Sequence, residues 1–208
     1  MRTYSDNSEL VTRRRQHILK KAMELFQKKG YQKTTTREIA KACDMSVGSL
    51  YHYIGSKDDI FTMIADASSS ILEQFSKEDL EGTEISATEK LRFNISQYIK
   101  LVDEHQDIIL FWYQESKNLR KAQRKIIFDI DGRLSTRIEK ILLAGCENGE
   151  FTVRDTTLTA HDIIVLCDMW AFRRWFLRKR YSLEDYIRNQ SEVILNAICR
   201  GKGREPNR

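Results

Sequence analysis

Between Thr34 and Lys57 the chain gathers side chains suited to holding nucleic acid. Thr34, Thr35, Thr36 and Ser46 bring hydroxyls to positions that read as helix starts, where backbone amides also point outward, and both receive phosphate oxygens. Ser49, Tyr51 and His52 offer hydrogen-bonding tips of the kind that meet base edges, and Val47 offers an apolar one. Gly48 lets a partner approach the backbone closely. Each residue also has an ordinary reading. Thr35 caps a helix, Tyr51 lies partly in a core between Leu50 and Tyr53, and Lys57 opens a solvated helix. The run Arg13-Arg14-Arg15 is either a solvated face or a set of further backbone contacts.

These residues need elements to hold them. Ile18, Leu19, Ala22, Met23, Leu25 and Phe26 recur at helical spacing and predict an amphipathic first helix, which Gly30 ends. Thr35 and Glu38 have the spacing of a capping box, each side chain satisfying an amide of the other. A short helix follows, burying Ile39, Ala40 and Cys43 and stopping near Asp44. Ser46 is a good N-cap for the stretch Val47–Tyr53, and Gly55-Ser56 breaks the pattern again. Lys57–Leu80 reads as a longer helix with Ile60, Phe61, Ile64, Ala67, Ile71 and Phe75 on its apolar side. Two short helices joined by a tight turn, behind a longer basic helix, predict a helix-turn-helix whose second helix enters the major groove.

Helical periodicity continues through most of the remainder. A loop is expected at 81–86, helices at 87–104, 106–118 and 120–147, a connector with a short extended piece at 149–155, and helices at 158–180 and 183–199. The one proline of the 208 residues, Pro206, lies near the end, so long helices run unbroken. The expected fold class is all-α.

Charge is unevenly distributed. Residues 1–60 hold twelve Lys and Arg against seven Asp and Glu, 61–172 hold thirteen against nineteen, and 173–208 hold ten against four. A basic opening segment suits a phosphate-binding surface. No apolar run reaches the roughly 18 residues of a membrane span, and Met1–Asp6 lead into charged sequence rather than a signal core. A cytoplasmic protein is expected. Cys43, Cys146, Cys167 and Cys199 are scattered, as are His17, His52, His105 and His161, without metal-ligand spacing. Reduced, buried thiols are expected, with no metal and no cofactor. A Ser/His/Asp set, a paired-carboxylate motif and a phosphate-binding glycine loop are likewise missing, which argues against an enzyme. A helix-turn-helix serving protein contacts is the other rival, disfavoured by the basic first segment and the hydroxyl-rich helix starts.

The stretch Gly30-Tyr31-Gln32-Lys33-Thr34-Thr35-Thr36-Arg37-Glu38-Ile39-Ala40 resembles the opening signature of the TetR family of transcriptional regulators, the AcrR-like helix-turn-helix repressors. Ser46-Val47-Gly48-Ser49-Leu50-Tyr51-His52-Tyr53 with Gly55-Ser56-Lys57 resembles its continuation. The resemblance implies phosphate contacts from Thr35, Thr36, Ser46, Tyr51 and Lys57, and base or groove contacts from Arg37, Val47, Gly48, Ser49 and His52. Two positions depart from the pattern. Asp44 stands where glycine is usual, a change the turn tolerates because aspartate enters the left-handed region more readily than most residues. Ile54 replaces phenylalanine in the core.

By the same resemblance, residues 1–57 form the DNA-binding domain, 58–200 a helical effector-binding and dimerisation domain, and 201–208 a flexible tail. The last two long helices would pair with those of a second copy, setting two reading helices about 34–36 Å apart on a palindromic operator. A small-molecule effector would release this homodimeric repressor from double-stranded operator DNA. Trp112, Phe128, Met169, Trp170 and Arg174 are the candidates for contacting it. Aromatic stripes at helical spacing equally make ordinary core. The stretch Trp170-x-x-Arg173-Arg174-Trp175-Phe176 followed by Tyr181-Ser182-Leu183-Glu184 resembles family members sensing coenzyme A thioesters, whose phosphates would suit the basic cluster Arg173-Arg174…Arg178-Lys179-Arg180. That cluster also fits a helix end exposed to water.

Overall fold

The structure, a computed structural model, describes residues 4–77 and 85–199. In order these form α1 (Tyr4–Lys29), α2 (Thr36–Ala42), α3 (Val47–Tyr51), α4 (Lys57–Lys77), α5 (Ala87–Glu104), α6 (Gln106–Glu115), a 3-10 turn (Ser116–Asn118), α7 (Lys121–Glu147), α8 (Thr156–Phe172), α9 (Arg174–Leu177) and α10 (Leu183–Ile198). The fold is all-α. Among the described residues extended pairing is limited to one antiparallel bridge, Phe151 to Cys199, in the connector where a short extended piece is expected. The expected end of the fourth helix at Leu80, most of the 81–86 loop and the 201–208 tail lie outside the described residues.

The helices pack into two compact units. One comprises the chain up to Ser70 together with Asp107–Ile127; the other comprises Ile71–Gln106 and the chain from Phe128 onward. The first unit thus draws on two separate stretches of the chain. Its core is a cluster of Ile18, Ala22, Phe26, Tyr31, Ile39, Leu50, Ile60, Phe61 and Ile64, completed by Phe111 and Leu119 from the later segment. The Phe26, Tyr31, Phe61 and Phe111 rings meet at 5.1–6.5 Å, mostly edge to face, the geometry that aligns ring edges with ring faces.

In the second unit α5 lies centrally, packed on α8 and α10, and buries Leu91, Ile95, Ile99 and Val102. A buried helix start needs its amides satisfied. Ser86 and Glu89 form a capping box, and the Glu150 carboxylate takes the Ala87 and Thr88 amides at 2.9 Å each. The expected helix 158–180 instead breaks at Arg173, which leaves helical geometry at φ −113°, ψ 23°. The break turns α9 so that Arg174 reaches Gln106 at 2.6 Å and Arg178 pairs with Asp103.

Candidate nucleic-acid interface

Local chemistry builds α2 and α3 much as their residue types dictate. Thr35 caps α2. Its hydroxyl accepts the Glu38 amide, and the Glu38 carboxylate accepts the Thr35 amide at 2.9 Å and hydroxyl at 2.7 Å. Lys29 pairs with the same carboxylate. That ion pair first, then the Thr35 bonds, holds Glu38 down to about 2, so it stays ionised and the cap stays closed at any working pH. Ser46 caps α3, accepting the Ser49 amide at 3.0 Å and sharing a 2.9 Å contact with the Ser49 hydroxyl. Between the helices Asp44 takes φ 54°, the left-handed turn that the sequence asks of it in place of glycine. Ile54 is core, as expected.

With Ile39, Ala40, Cys43 and Leu50 turned inward, the outward side is polar. Thr35, Arg37, Lys41, Ser46, Gly48, Ser49, Tyr51 and His52 are exposed, Thr36 is half-buried, and Val47 is half-buried against the core. Thr36 Oγ1 lies 3.4 Å from the Tyr51 hydroxyl, so the start of α2 meets the end of α3 at the surface. A Cβ added at Gly48 would meet nothing closer than Ser46 Oγ at 3.8 Å. The fold leaves room there for a side chain, so the missing methyl has no internal explanation. Lys41, absent from the sequence candidates, follows Arg37 by four residues and adds a second exposed cation on α2; that i, i+4 spacing was the available signal.

Lys57 is placed differently from the others. Its ammonium donates to the carbonyls of Tyr31 at 3.0 Å, Gln32 at 3.3 Å and Thr34 at 3.1 Å, and lies 4.4 Å from the centre of the Tyr31 ring. All three of its donors are directed at the loop that carries Thr34–Thr36. The same loop is held from the later segment: Glu115, 5% exposed, accepts the Tyr31 amide at 2.9 Å beside Gly30 at φ 86°. Asp58 accepts Arg120 through both oxygens at 2.9 and 2.7 Å and the Tyr31 hydroxyl at 2.7 Å. Burial, then Asp58, pushes the Tyr31 phenol far up. Arg15 donates to the Tyr53 carbonyl at 3.1 Å, tying α1 to the end of α3.

The effector candidates are divided between the two units. Trp112 belongs to the first unit, where its indole donates to Ser68 at 3.0 Å and its ring meets Phe61 at 5.2 Å. Phe128, 81% exposed, Met169, Trp170 and Arg174 belong to the second. Trp170 is buried there, donating to Asp103 at 2.6 Å and stacked on Tyr186 at 4.9 Å. The polar groups inside that unit lie elsewhere. Tyr98 donates to Asp168 at 3.0 Å, and Arg137 donates to Asn94 at 2.7 Å over the Phe75 ring. Burial first, then the nearby Asp131, raises Asp168 to about 7 against the pull of the Tyr98 bond. Asn94 and Tyr98 share a stripe with Leu91, Ile95 and Val102, a polar pair on an apolar face that the sequence displays. Among the described residues no group of acids, histidines and cysteines could hold a metal, and no helix is long and apolar enough to cross a membrane.

Residues 18–64 match the model of bacterial regulatory proteins of the tetR family, and residues 84–198 match that of the tetracyclin repressor-like C-terminal domain. The HTH-type transcriptional regulator HbdR of Aromatoleum sp. (strain CIB) is 29% identical over 196 residues, covering 94% of this chain and 85% of the relative. A tetR-family regulatory protein of Rhodococcus RHA1 superposes with TM-score 0.79 at 26% identity, over 90% of this chain and 98% of that one. AibR, solved in complex with isovaleryl coenzyme A and operator DNA, superposes with TM-score 0.72 at 22% identity, over 86% and 97%. Matched along both its head and its C-terminal helices, the chain belongs to the tetR family of bacterial transcriptional regulators.

Proposed function

We propose that this regulator is a homodimeric, cytoplasmic repressor that reads a palindromic operator with α3 and is released by a small molecule held in its second unit. It acts by binding alone, without chemistry on the ligand and without a metal or cofactor. The observation that carries the reading is the exposed face of α2 and α3, polar and basic over a tightly packed core, with Gly48 open outward. Arg37, Val47, Gly48, Ser49 and His52 meet the groove; Thr35, Thr36, Ser46 and Tyr51 meet phosphates. Lys57 serves the same surface from behind by fixing the loop that presents the threonines.

The partner copy docks on α8 and α10. Leu158, Val165 and Leu166 lie on one stripe of α8 with 38–57% of their surface exposed, and Val193 on α10 is 61% exposed. Such apolar surface is stabilised by burial against its own kind. The effector is an apolar compound or an acyl-CoA thioester, the latter in line with the ligand of AibR. Tyr98, Asp168, Asn94 and Arg137 give the second unit a polar interior that could orient one end of it. Ligand and operator then compete through two populations of the same dimer, each weakening the other by an equal factor.

The test is binding of the purified protein to duplex DNA from upstream of its own gene across a range of salt. Sedimentation equilibrium runs beside it, with melting shifts against a panel of acyl-CoAs and apolar compounds. A palindrome bound by a dimer supports the proposal. Indifference to every duplex at low salt refutes it.

A further inference from the structure

The first helix is longer than its core requires. It runs Tyr4–Lys29, yet from residue 9 onward, where burial is described, the first buried residue is Ile18, and residues 9–16 are all exposed. The match to the family's head model begins at that same Ile18. An unpacked helix has little intrinsic stability, and the turns before Ile18 persist as the continuation of a packed one. They also carry three consecutive arginines, Arg13-Arg14-Arg15.

Arg15 fixes where this extension lies. Its Nε donates to the carbonyl of Tyr53, two residues beyond the end of α3, and its charge helps hold the Asp59 carboxyl low, behind the bonds from Gly55 and Ser56. The extension is thus pinned beside the C-terminal end of the reading helix. Of its neighbours, Arg13 is paired with Glu9 at 2.7 Å, whereas Arg14 makes no ion pair with any described residue and is exposed. Helical spacing sets Arg14 on one stripe with Leu10, His17 and Lys21, and Leu10 is 49% exposed. Further along that stripe Lys21 is paired with Glu24 at 3.0 Å, which leaves Arg14 as its exposed cation without an ion pair among the described residues.

We infer that the N-terminal extension of α1 is a second DNA-contacting element. Arg15 positions it against the end of α3, and Arg14 meets the sugar-phosphate backbone flanking the half-site that α3 reads. A guanidinium suits that contact because its donors match phosphate oxygens in pairs. The contact adds affinity without adding sequence preference. This rests on the reading of α3 as the groove-binding helix.

The experiment uses the full chain and a duplex selected by the wild-type protein from random-sequence DNA. Arg14→Ala should leave the melting temperature and the selected sequence unchanged and weaken binding about three- to tenfold. It should lower the steepness of log affinity against log salt by about two units, one phosphate for each protomer of a dimer. Hydroxyl-radical footprints should lose protection only outside the half-sites. Arg15→Ala should reproduce the footprint change by releasing the extension, and Arg15→Lys should restore part of it. Equal salt slopes and footprints for wild type and Arg14→Ala, with tight wild-type binding, would mean a merely solvated face and overturn this inference alone. A wild-type protein that selects no duplex overturns the reading of α3 itself.

Discussion

Lys57→Met separates two roles for one side chain. Sequence resemblance assigns Lys57 to a phosphate, whereas the structure directs its ammonium at three carbonyls of the 31–34 loop. Methionine keeps the length of the stem and removes the charge and the donors. Charge-assisted bonds to partly solvated carbonyls contribute on the order of 1 kcal/mol each, the contact with the Tyr31 ring adds about 0.5 kcal/mol, and regained side-chain freedom offsets part of the sum. The expected loss is about 2–3 kcal/mol, equivalent to roughly 5–10 °C in melting temperature for a chain of this size. DNA affinity at fixed salt should fall as the threonine loop loosens. The salt slope should stay within about half a unit of wild type, because no phosphate contact is removed. Scanning calorimetry gives the first quantity, and fluorescence anisotropy on a labelled operator, well below the variant's melting point, gives the second. An unchanged melting temperature together with a slope lower by about two units would refute the brace and return Lys57 to the DNA face.

Gly48→Ala fits the folded head, since its Cβ would sit 3.8 Å from Ser46 Oγ, and alanine favours helix. The melting temperature should hold or rise while operator affinity falls at least about tenfold, and unimpaired binding would remove α3 from close contact with DNA. Asp168 has its carboxyl raised by burial to about 7, so the folded state binds the proton more tightly than the unfolded one. Its contribution is therefore full below about pH 4 and is lost as pH climbs through 7. Asp168→Asn should flatten that decline, by up to about 4 kcal/mol at pH 8, and denaturant melts with parallel pH profiles for both proteins would count against it. Asp44→Gly, at φ 54°, should stabilise the head by about 0.5–1 kcal/mol with no change in binding, as urea titrations can show. Val165→Asp should yield a monomer in sedimentation equilibrium with operator affinity down more than about tenfold; a persistent dimer would place the interface elsewhere.

Much of the head was legible because its signals are local. The Thr35–Glu38 box, the Ser46 cap and the left-handed Asp44 each depend on residues three or four apart, and α5 keeps its expected span of 87–104. What escaped the sequence depends on distant partners. Nothing near Lys57 announces that carbonyls some 25 residues earlier will receive it. Trp112 sits on an apolar stripe like those of the second unit, and only tertiary packing assigns it to Ser68 and Phe61. The break at Arg173 reflects what Arg174 and Arg178 can reach on residues 103–106, a gain that helix periodicity does not encode. Phe128 marks the limit of stripe-reading. Its spacing is that of a lining residue, yet its ring is open to water.

The seat of Glu115 under the Tyr31 amide, with Phe111 and Leu119 in the core beside it, has a consequence for biosynthesis. A nascent chain that has released its first 70 residues from the ribosome still lacks four buried members of the head, Phe111, Glu115, Leu119 and Gln123. Competence to hold DNA should therefore arrive late, once residues through about 127 have emerged, rather than when the reading helix itself is made. A stalled or prematurely terminated translation product shorter than that would leave an unfinished head, and so would not occupy the operator in place of the complete regulator.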